Sequence, residues 1–251
     1  MEIISIVVPV YNAADYIETT IIMVREQTFQ NWELILVEDC STDDTRKRLL
    51  TFTEQVADER IHVICKDHNE GAASARNTGI DAMTGRYLAF LDADDVWHRD
   101  KLEKELAYMK QTDAAFVFTA YEFGDEQAKG TGKIVHVPKT LSYHQALSRT
   151  VIFTTTVMLD TDKTGKNIIK MPLVASEDSA TWWQILRNGY TAYGYDEVLA
   201  VYRRPATSLS SNKFVAMKRI WNLYRKVEKL SFIYSMICFI GWAYRATCRR
   251  L

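Results

Sequence analysis

The stretch Tyr87-Leu88-Ala89-Phe90-Leu91-Asp92-Ala93-Asp94-Asp95 joins a short apolar run directly to three carboxylates. An apolar run of this length is typical of a strand that is buried on both faces of a parallel sheet. Neither burial nor helix propensity explains the carboxylates, so they favour a positively charged partner. Mg²⁺ and Mn²⁺ prefer oxygen ligands, and the cluster predicts such a cation, held together with phosphate oxygens. The alternative is a solvated acidic turn that caps the next helix.

Similar apolar runs recur along the first half of the chain and alternate with segments that have apolar residues at helical spacing. The predicted strands are Ile3–Val10, Glu33–Val37, Ile61–Ile64, Tyr87–Leu91 and Ala114–Phe118. The predicted helices are Ala14–Gln27, Asp43–Gln55, Ala72–Ala82 and Lys101–Lys110. Ser41 with Asp44 resembles a capping box that would start the second helix. The alternation predicts an α/β fold with a Rossmann-like, mostly parallel sheet flanked by helices.

Short segments that carry polar groups follow several of these strands. They are Pro9-Val10-Tyr11-Asn12, Glu38-Asp39, Asn69-Glu70-Gly71 and Asp92-Ala93-Asp94-Asp95. Ligands of such sheets bind beyond the carboxyl ends of the strands. We therefore expect these polar groups to converge at one edge of the sheet and to form the ligand site.

The segment from Asn69 to Ile80 opens a predicted helix with small residues. Gly71 and the alanines after it would let a ligand approach the backbone, and Arg76 would then serve a phosphate or hold the Asp cluster in place. The alternative is that the small residues only permit tight packing of helix on sheet, with Arg76 in a structural ion pair. The neighbouring polar segments favour the functional interpretation.

A carboxylate pair, Glu177-Asp178, opens an aromatic helix that contains Trp182 and Trp183. Carboxylates at a helix start are usually partners of the helix dipole, so this pattern alone does not indicate catalysis. The pair lies in a less regular region, residues 124–213, which we interpret as the acceptor-facing half of a catalytic domain.

Composition limits the classes of function. The chain has 251 residues, with 47% hydrophobic and 25% charged residues, which predicts one globular domain with a tail. Its formal net charge of -1 argues against nucleic acid as a partner. The four cysteines show no zinc or redox spacing, and no signal peptide opens the sequence, so we expect a cytoplasmic protein. Dinucleotide, Walker and hydrolase motifs are absent from the sequence.

Four motifs in order resemble glycosyltransferase family 2. They are Ile6-Val7-Val8-Pro9-Val10-Tyr11-Asn12, Glu38-Asp39-Cys40-Ser41-Thr42-Asp43, Ala75-Arg76-Asn77-Thr78-Gly79-Ile80 and Phe90-Leu91-Asp92-Ala93-Asp94-Asp95. The likeness is dense over the first half and extends more thinly through Glu177-Asp178 and Tyr202-Arg203. One departure is Cys40, where many members have glycine. Another is the shortness of the acceptor half.

The resemblance implies a GT-A fold in which residues 1–123 form the half that binds the nucleotide-sugar, and it implies a role for each matching residue. In that fold Pro9, Tyr11 and Asp39 would contact the nucleoside, and Asp92 would lie near the ribose or the phosphates. Asp94 would hold Mn²⁺ or Mg²⁺, and Arg76 would be the nucleotide-side arginine. Arg203 and Ser208 would lie on a loop that closes over the diphosphate. Asp178 would be the catalytic base. Glu177, Trp182 and Trp183 would lie on the acceptor side.

The implied activity is an inverting, metal-dependent hexosyl transfer. The expected donor is a UDP-sugar, and the expected acceptor is a hydroxyl of a lipid-linked sugar or a polysaccharide of the cell surface. A rival enzyme class, sugar nucleotidyltransferase, should have a Gly-rich basic loop after the first strand, where this chain has Pro9-Val10-Tyr11-Asn12-Ala13. A catalytically silent, membrane-bound scaffold with the same fold is the second alternative, against which the intact carboxylates argue.

The last part of the chain, residues 214–251, interleaves basic residues with apolar and aromatic ones. Ser231 to Tyr244 is almost wholly apolar but falls short of the ~20 residues that span a bilayer. Amphipathic helices with basic flanks and aromatic residues suit the headgroup region. We therefore expect this tail to lie on the inner face of the plasma membrane. The alternative is a homo-oligomer interface or a helix packed on the catalytic domain.

Overall fold

A ten-stranded mixed sheet forms the centre of the part of the chain that the computed structural model describes, residues 2–203 and 213–248. The strands are β1 Ile4–Val10, β2 Trp32–Glu38, β3 Ile61–Cys65, β4 Tyr87–Phe90, β5 Val96–Trp97, β6 Phe116–Gly124, β7 Gly130–Val135, β8 Thr140–Leu141, β9 Val157–Asp160 and β10 Ala192–Arg203. The helices are α1 Ile17–Arg25, α2 Thr45–Val56, α3 Ala72–Ala82, α4 Lys101–Gln111, α5 Tyr143–Leu147, α6 Thr161–Thr164, α7 Glu177–Arg187, α8 Lys213–Asn222 and α9 Phe232–Cys248. A 3-10 turn, Thr154–Thr156, precedes β9, and a π-helical turn, Leu223–Val227, follows α8.

The first four strands form the parallel half of the sheet, as predicted. β1 pairs in parallel with β2 and with β4, and β2 pairs in parallel with β3. The full order is β3-β2-β1-β4-β9-β6-β10-β5, while β7 pairs with β6 and β8 pairs with β10. β1, β2 and β4 consist almost entirely of buried residues. The predicted α/β fold is confirmed, and its parallel core places the carboxyl ends of β1, β2 and β4 side by side.

The second half of the sheet contains five strands that the sequence analysis did not identify, namely β5 and β7 to β10. β9 lies antiparallel between β4 and β6, so these two strands do not pair with each other. The predicted strand Ala114–Phe118 overlaps the start of β6, which begins at Phe116 and pairs in parallel with β10 along its length. Because β5, β7, β8 and β9 pair antiparallel with their neighbours, the sheet is mixed rather than mostly parallel as predicted.

The predicted capping box at the start of α2 is wrong. The helix begins at Thr45, two residues later than predicted, and Asp44 at its N-cap makes no side-chain capping bond. Instead the Asp43 carboxylate accepts a hydrogen bond from the Thr45 amide, at 3.0 Å. The Ser41 hydroxyl accepts from the Asn12 amide at 3.1 Å, so it ties two loops together rather than capping a helix.

The helices after residue 213 pack into the domain and are not simply laid on its outside. Tyr224 in the π-helical turn is fully buried, and its ring stacks on Trp183 of α7, with centroids 5.3 Å apart and an interplanar angle of 5°. Its hydroxyl donates to the Leu147 carbonyl. Glu228 accepts hydrogen bonds from Tyr143 and Arg187, both in the catalytic domain. Removal of the tail would therefore expose apolar surface of α7.

A buried ion pair at the start of α4 holds the helix that follows the acidic segment. Lys101 and Glu105 pair one turn apart, and both side chains are fully buried. The Lys101 ammonium also lies 4.5 Å from the centroid of the Trp97 ring. Burial raises the pKa of Glu105 to about 7, and the Lys101 ammonium limits that rise.

We expect Glu105→Leu to lower the free energy of unfolding by about 3–5 kcal/mol, because it leaves a buried ammonium without its counter-charge. The double variant Lys101→Met/Glu105→Leu removes both charges and should regain most of the lost stability. Urea unfolding followed by circular dichroism measures both. Equal stability of the Glu105→Leu variant and the wild type would contradict the prediction.

Candidate active site

A cavity of about 610 Å³ opens at the carboxyl ends of β1, β2 and β4, where the sequence placed the ligand site. Seven of the nine residues that the sequence analysis expected around the nucleotide and the metal line it: Pro9, Tyr11, Asp39, Gly71, Arg76, Asp92 and Asp94. Arg203 does not line this cavity, and Ser208 lies outside the described residues. The volume is within the ~300–1,000 Å³ typical of pockets for small molecules. The predicted convergence of strand ends is thus present in the structure.

Asp39, at the end of β2, organises the loop that leads into α3. Its carboxylate accepts hydrogen bonds from the amides of Glu70, at 3.1 Å, and Gly71, at 2.7 Å, and it lies 3.1 Å from the Lys66 ammonium. Gly71 has a φ of 86°, a backbone conformation that only glycine adopts readily, and a Cβ there would meet nothing within 4 Å. Backbone geometry rather than lack of space therefore requires glycine at the start of α3.

The turn after β2 tolerates the unusual Cys40. This residue has a φ of 57°, in the left-handed region that favours glycine. The turn therefore keeps its geometry with a residue that carries a side chain. The Asn12 side-chain oxygen accepts from the Thr42 amide at 2.9 Å and joins this turn to the end of β1.

Three hydrogen bonds, from Thr20 and Arg203, hold the acidic segment after β4. The Thr20 hydroxyl donates to the Ala93 carbonyl at 2.7 Å, and Arg203 donates from Nε to the Asp94 carbonyl at 2.7 Å. The Arg203 amide donates to the Asp95 carboxylate at 3.2 Å. These contacts fix the main chain, so the Asp94 side chain remains available to the cavity.

The acidic segment carries negative charge that described side chains only partly neutralise. Burial raises the pKa of Asp94, and the negative charge of Asp92 raises it further. Burial and the negative charges of Asp92 and Asp94 raise the pKa of Asp95 well above its usual range. Its Oδ2 atom is buried without a hydrogen-bond partner in the described part of the chain. A divalent cation would offset this charge.

The donor set fits a cation that also binds phosphate. Within residues 2–203 and 213–248, no cluster of three or more His, Cys, Asp and Glu side chains has the geometry to hold a metal by itself. Asp94 lines the cavity with one carboxylate, and Mg²⁺ commonly takes one or two carboxylates together with phosphate oxygens and water. The residues present therefore match a metal that binds together with its nucleotide.

Arg76 connects the two halves of the domain. It is buried in α3, donates to Asp92 at 2.5 Å and donates to Glu177 of α7 at 3.2 Å. Burial alone would lower its pKa, but the charges of Asp92 and Glu177 outweigh burial and raise it. The alternative interpretation, that small residues permit tight packing of this helix on the sheet, also holds in part, because a Cβ at Gly79 would collide with Val7 of β1. Arg76 is thus both a structural ion-pair partner and a wall of the cavity.

Asp178 lies in a second cavity, of about 280 Å³, beside the first. Burial raises the pKa of its carboxyl group, and the charge of Glu177 adds to that rise. The Ser179 amide donates to its Oδ1 at 2.6 Å, and Ser176 before it has a φ of 62° in the left-handed region. Such backbone conformations concentrate at functional sites. Phe153 lines both cavities, so the two cavities are neighbours that share this residue as a wall.

Several predicted site residues lie elsewhere than expected. Trp182 and Trp183 are each 2% exposed and pack in the core, so their predicted place on the acceptor side is wrong. Trp182 packs against Phe116, with ring centroids 5.5 Å apart. Glu177 is tied to Arg76 and lines neither cavity. Ser208 lies outside the described residues.

The cavity has further lining residues, of which the sequence analysis did not identify Tyr16 and Phe153. Asn12, Tyr16, Asn69, Phe153 and Tyr202 line the first cavity. The Arg203 guanidinium lies 4.5 Å from the Tyr16 ring centroid, and the rings of Phe153 and Tyr202 lie 4.4 Å apart. Asn12, Asn69 and Tyr202 belong to segments that the sequence analysis quoted, although it gave them no individual role. No feature of the sequence near Phe153 indicates its position.

A Rossmann-like half-sheet with an acidic segment at its carboxyl edge and a recessed carboxylate beside it defines a GT-A type site. The sequence profile of Glycosyl transferase family 2 matches residues 5–163. The chain belongs to this family and is a glycosyltransferase.

Two relatives cover nearly the whole chain. A proposed teichuronic acid biosynthesis glycosyltransferase, TuaG of Bacillus subtilis (strain 168), is 44% identical over 99% of this chain and 98% of its own length. The Escherichia coli UDP-Glc:alpha-D-GlcNAc-diphosphoundecaprenol beta-1,3-glucosyltransferase WfgD is 36% identical over 88% of this chain and 85% of its own.

The fold also resembles a solved structure. The mannosyltransferase PcManGT from Pyrobaculum calidifontis, in complex with GDP-Man and Mn²⁺, has a TM-score of 0.73 and 20% sequence identity. The likeness covers 96% of this chain and 69% of PcManGT. At this identity it supports the GT-A fold alone.

Proposed function

We propose that this protein transfers a hexose from a UDP-sugar to a hydroxyl of a lipid-linked sugar, with inversion at the anomeric carbon, during assembly of a surface polysaccharide. The acceptor class and the UDP donor are suggested by the name of the relative WfgD, and the polysaccharide setting by that of TuaG. One observation carries the proposal for the chemistry. A cavity of about 610 Å³ that Asp94 lines shares the side chain of Phe153 with a smaller cavity that Asp178 lines.

The first cavity would bind the donor. Tyr11 is 47% exposed at the mouth of the cavity, which suits a ring that packs against a nucleobase. The loop that Asp39 organises would receive the nucleoside. Arg76 would hold Asp92 in place beside the ribose or the phosphates, and Arg203 would lie close to the diphosphate.

Asp94 would hold Mn²⁺ or Mg²⁺ together with oxygens of the donor diphosphate. When bound, the cation supplies Lewis-acid stabilisation of the charge on the departing nucleoside diphosphate.

Asp178 would act as general base in the second cavity. It accepts the proton of the acceptor hydroxyl as that oxygen forms a bond to the anomeric carbon, while the bond from this carbon to the diphosphate oxygen breaks. The raised pKa of the Asp178 carboxyl group suits this role, because a stronger base assists proton removal more. The products are the extended acceptor and the nucleoside diphosphate, and a single displacement needs no carboxylate nucleophile.

A panel of nucleotide sugars tests the donor class. Purified protein is mixed with each donor, Mn²⁺ and an alkyl-linked sugar diphosphate, and release of nucleoside diphosphate is followed. We expect release from a UDP-hexose that depends on the acceptor. Release that is equally fast without acceptor, or that occurs only with non-uridine donors, would contradict this part of the proposal.

The proposal includes attachment to a membrane surface through one face of α9. In the described part of the chain, no helix has the length and apolarity to cross a bilayer. One face of α9 packs on the domain, where Ser235 and Cys238 are buried and Trp242 donates to Thr150. The other face exposes large apolar side chains, namely Phe232, Ile233, Met236, Ile237, Ile240 and Tyr244.

The positive charge of the residues before α9 favours an anionic bilayer as the partner of this exposed face. Arg225, Lys226 and Lys229 are exposed in the segment immediately before α9. Exposed cations next to an apolar helix face are the features that hold a helix in the interface of an anionic membrane. The predicted packing on the domain and the predicted membrane contact would thus use opposite faces of the same helix.

We expect Ile233→Asp/Ile237→Asp to reduce co-sedimentation with phosphatidylglycerol vesicles by about tenfold or more, because two carboxylates replace buried apolar area in the interface. Ile22→Asp on α1, an exposed isoleucine of the catalytic domain, is the matched control and should leave binding unchanged. Undiminished vesicle binding of the double variant would contradict the membrane assignment. A dimer of the wild type that dissociates in the variant would identify the face as an interface between copies.

A further inference from the structure

The second cavity has walls from two parts of the chain. The catalytic domain contributes Tyr121, Thr150, Ile152, Phe153, Ser176, Asp178 and Ser179. The C-terminal helices contribute Val215, Ala216, Arg219 and Ile220 from α8 and Trp242 from α9. The family profile ends at residue 163, so this second wall lies outside the part of the chain that it matches.

The C-terminal wall is a fixed part of the structure. The stacked pair of Tyr224 and Trp183 fixes the turn after α8, and Trp242 donates from its indole nitrogen to the Thr150 hydroxyl at 3.1 Å. α7 carries Asp178 in its first turn and Trp183 further along. The same helix therefore presents the proposed base and docks the segment that closes the cavity.

The cavity lining has the chemistry of a site for a sugar that carries a phosphate. Aromatic rings of Tyr121, Phe153 and Trp242 offer apolar faces, and nearby hydroxyl groups offer hydrogen bonds. Its volume of about 280 Å³ is small for a nucleotide and suits a group the size of a single sugar.

Arg219 supplies the cation of this lining. Its side chain is exposed at the cavity, and it makes no ion pair with a described acidic residue. A guanidinium group binds phosphate through paired N–H groups, which fits a phosphate oxygen better than a neutral hydroxyl.

We infer that α8 and α9 complete the acceptor site, and that Arg219 is a specificity residue for the diphosphate of a sugar-diphosphate acceptor. This inference rests on the proposed function, which places the acceptor hydroxyl beside Asp178. The sugar would lie between the aromatic walls, its diphosphate would contact Arg219, and its lipid would leave toward the bilayer that α9 contacts. The tail would then serve acceptor recognition as well as attachment to a membrane.

The test compares two soluble acceptors that share one sugar and one short alkyl chain, of which only the first contains a diphosphate. For Arg219→Gln we expect the KM for the diphosphate acceptor to rise about tenfold, the effect of losing about 1.4 kcal/mol of charge-assisted contact. The KM for the neutral acceptor and the Kd for the donor should change much less. Arg219→Lys should recover part of the loss, because it keeps the charge but not the paired geometry.

Lys218→Gln is the matched control, since Lys218 is an exposed neighbour on α8 that does not line the cavity. Calorimetric titration with the alkyl sugar diphosphate measures binding independently of turnover. Equal affinity of the wild type and Arg219→Gln for this compound would overturn the inference, as would an equal loss of affinity for both acceptors. Wild-type protein that transfers sugar to neither acceptor would instead contradict the proposed function.

Discussion

Asp178→Asn should lower the rate of sugar transfer by about 10²-fold or more, the scale of general-base assistance. Asparagine keeps the shape of the side chain and cannot accept the proton of the acceptor hydroxyl. Donor affinity should change little, because Asp178 lines the second cavity and not the first. A slight gain in donor affinity is compatible with the loss of one negative charge near the diphosphate.

The pH dependence gives this prediction a second readout. A base must be deprotonated to act, and burial raises the pKa of Asp178. Transfer by the wild type should therefore fall, as pH decreases, at a higher pH than an ordinary aspartate would give. This acidic limb should vanish in the residual activity of Asp178→Asn.

Asp113→Asn is the control for this variant, because it makes the same substitution at a highly exposed carboxylate that lines neither of the two cavities. Donor titration and transfer are measured on the same protein preparations. Near-normal transfer with impaired donor binding in Asp178→Asn would remove this residue from the role of base.

Asp94→Ala should affect both donor binding and turnover. Turnover should fall at least on the order of 10³-fold, since Lewis-acid stabilisation of a leaving group is worth several kcal/mol. Donor affinity should fall as well, because the carboxylate that holds the cation beside the diphosphate is lost. Asp94→Asn should behave in the same way, since an amide oxygen carries no charge to attract the cation.

Chelation separates loss of metal from loss of structure. The wild type in excess EDTA should lose donor affinity and turnover, and added Mn²⁺ should restore both. Added Mn²⁺ should restore neither in Asp94→Ala. Full turnover of the wild type in excess chelator would contradict the proposal that Asp94 holds a catalytic cation.

The first cavity was predictable because most of its residues follow the strands of a regular α/β pattern. A buried run such as Tyr87–Leu91 identifies a strand by itself, and the residue after it must emerge at the carboxyl edge. Asp39 and Asp92 both reach the first cavity in this way. Gly71 was predictable for a similar reason, because it immediately precedes α3 at that edge and has a positive φ that favours glycine.

The other side of the site depends on contacts between distant parts of the chain, which local patterns do not encode. β9 inserts between β4 and β6, and the turn before it carries Thr155, whose hydroxyl accepts from the Asp92 amide at 3.1 Å. Trp242 reaches the second cavity from far along the sequence. Neither placement has a signal in the spacing of nearby residues.

The tryptophan pair shows why aromatic residues near a candidate base are weak evidence for a binding surface. α7 buries side chains around much of its circumference, including Trp182 toward Phe90 and Phe116 and Trp183 toward Tyr224. Large aromatic side chains in a helix are more often part of the core than exposed to a substrate. Burial explains both residues without any contact with the acceptor.

The anomeric configuration of the product tests the proposal that sugar is transferred in a single displacement, in which donor and acceptor meet from separate cavities. The product of transfer from an α-linked UDP-hexose to the alkyl sugar diphosphate is isolated, and its anomeric coupling constant is measured by proton NMR. We expect a β-linked product, with inversion at the anomeric carbon. An α-linked product would contradict the single displacement and the role of Asp178 as its base.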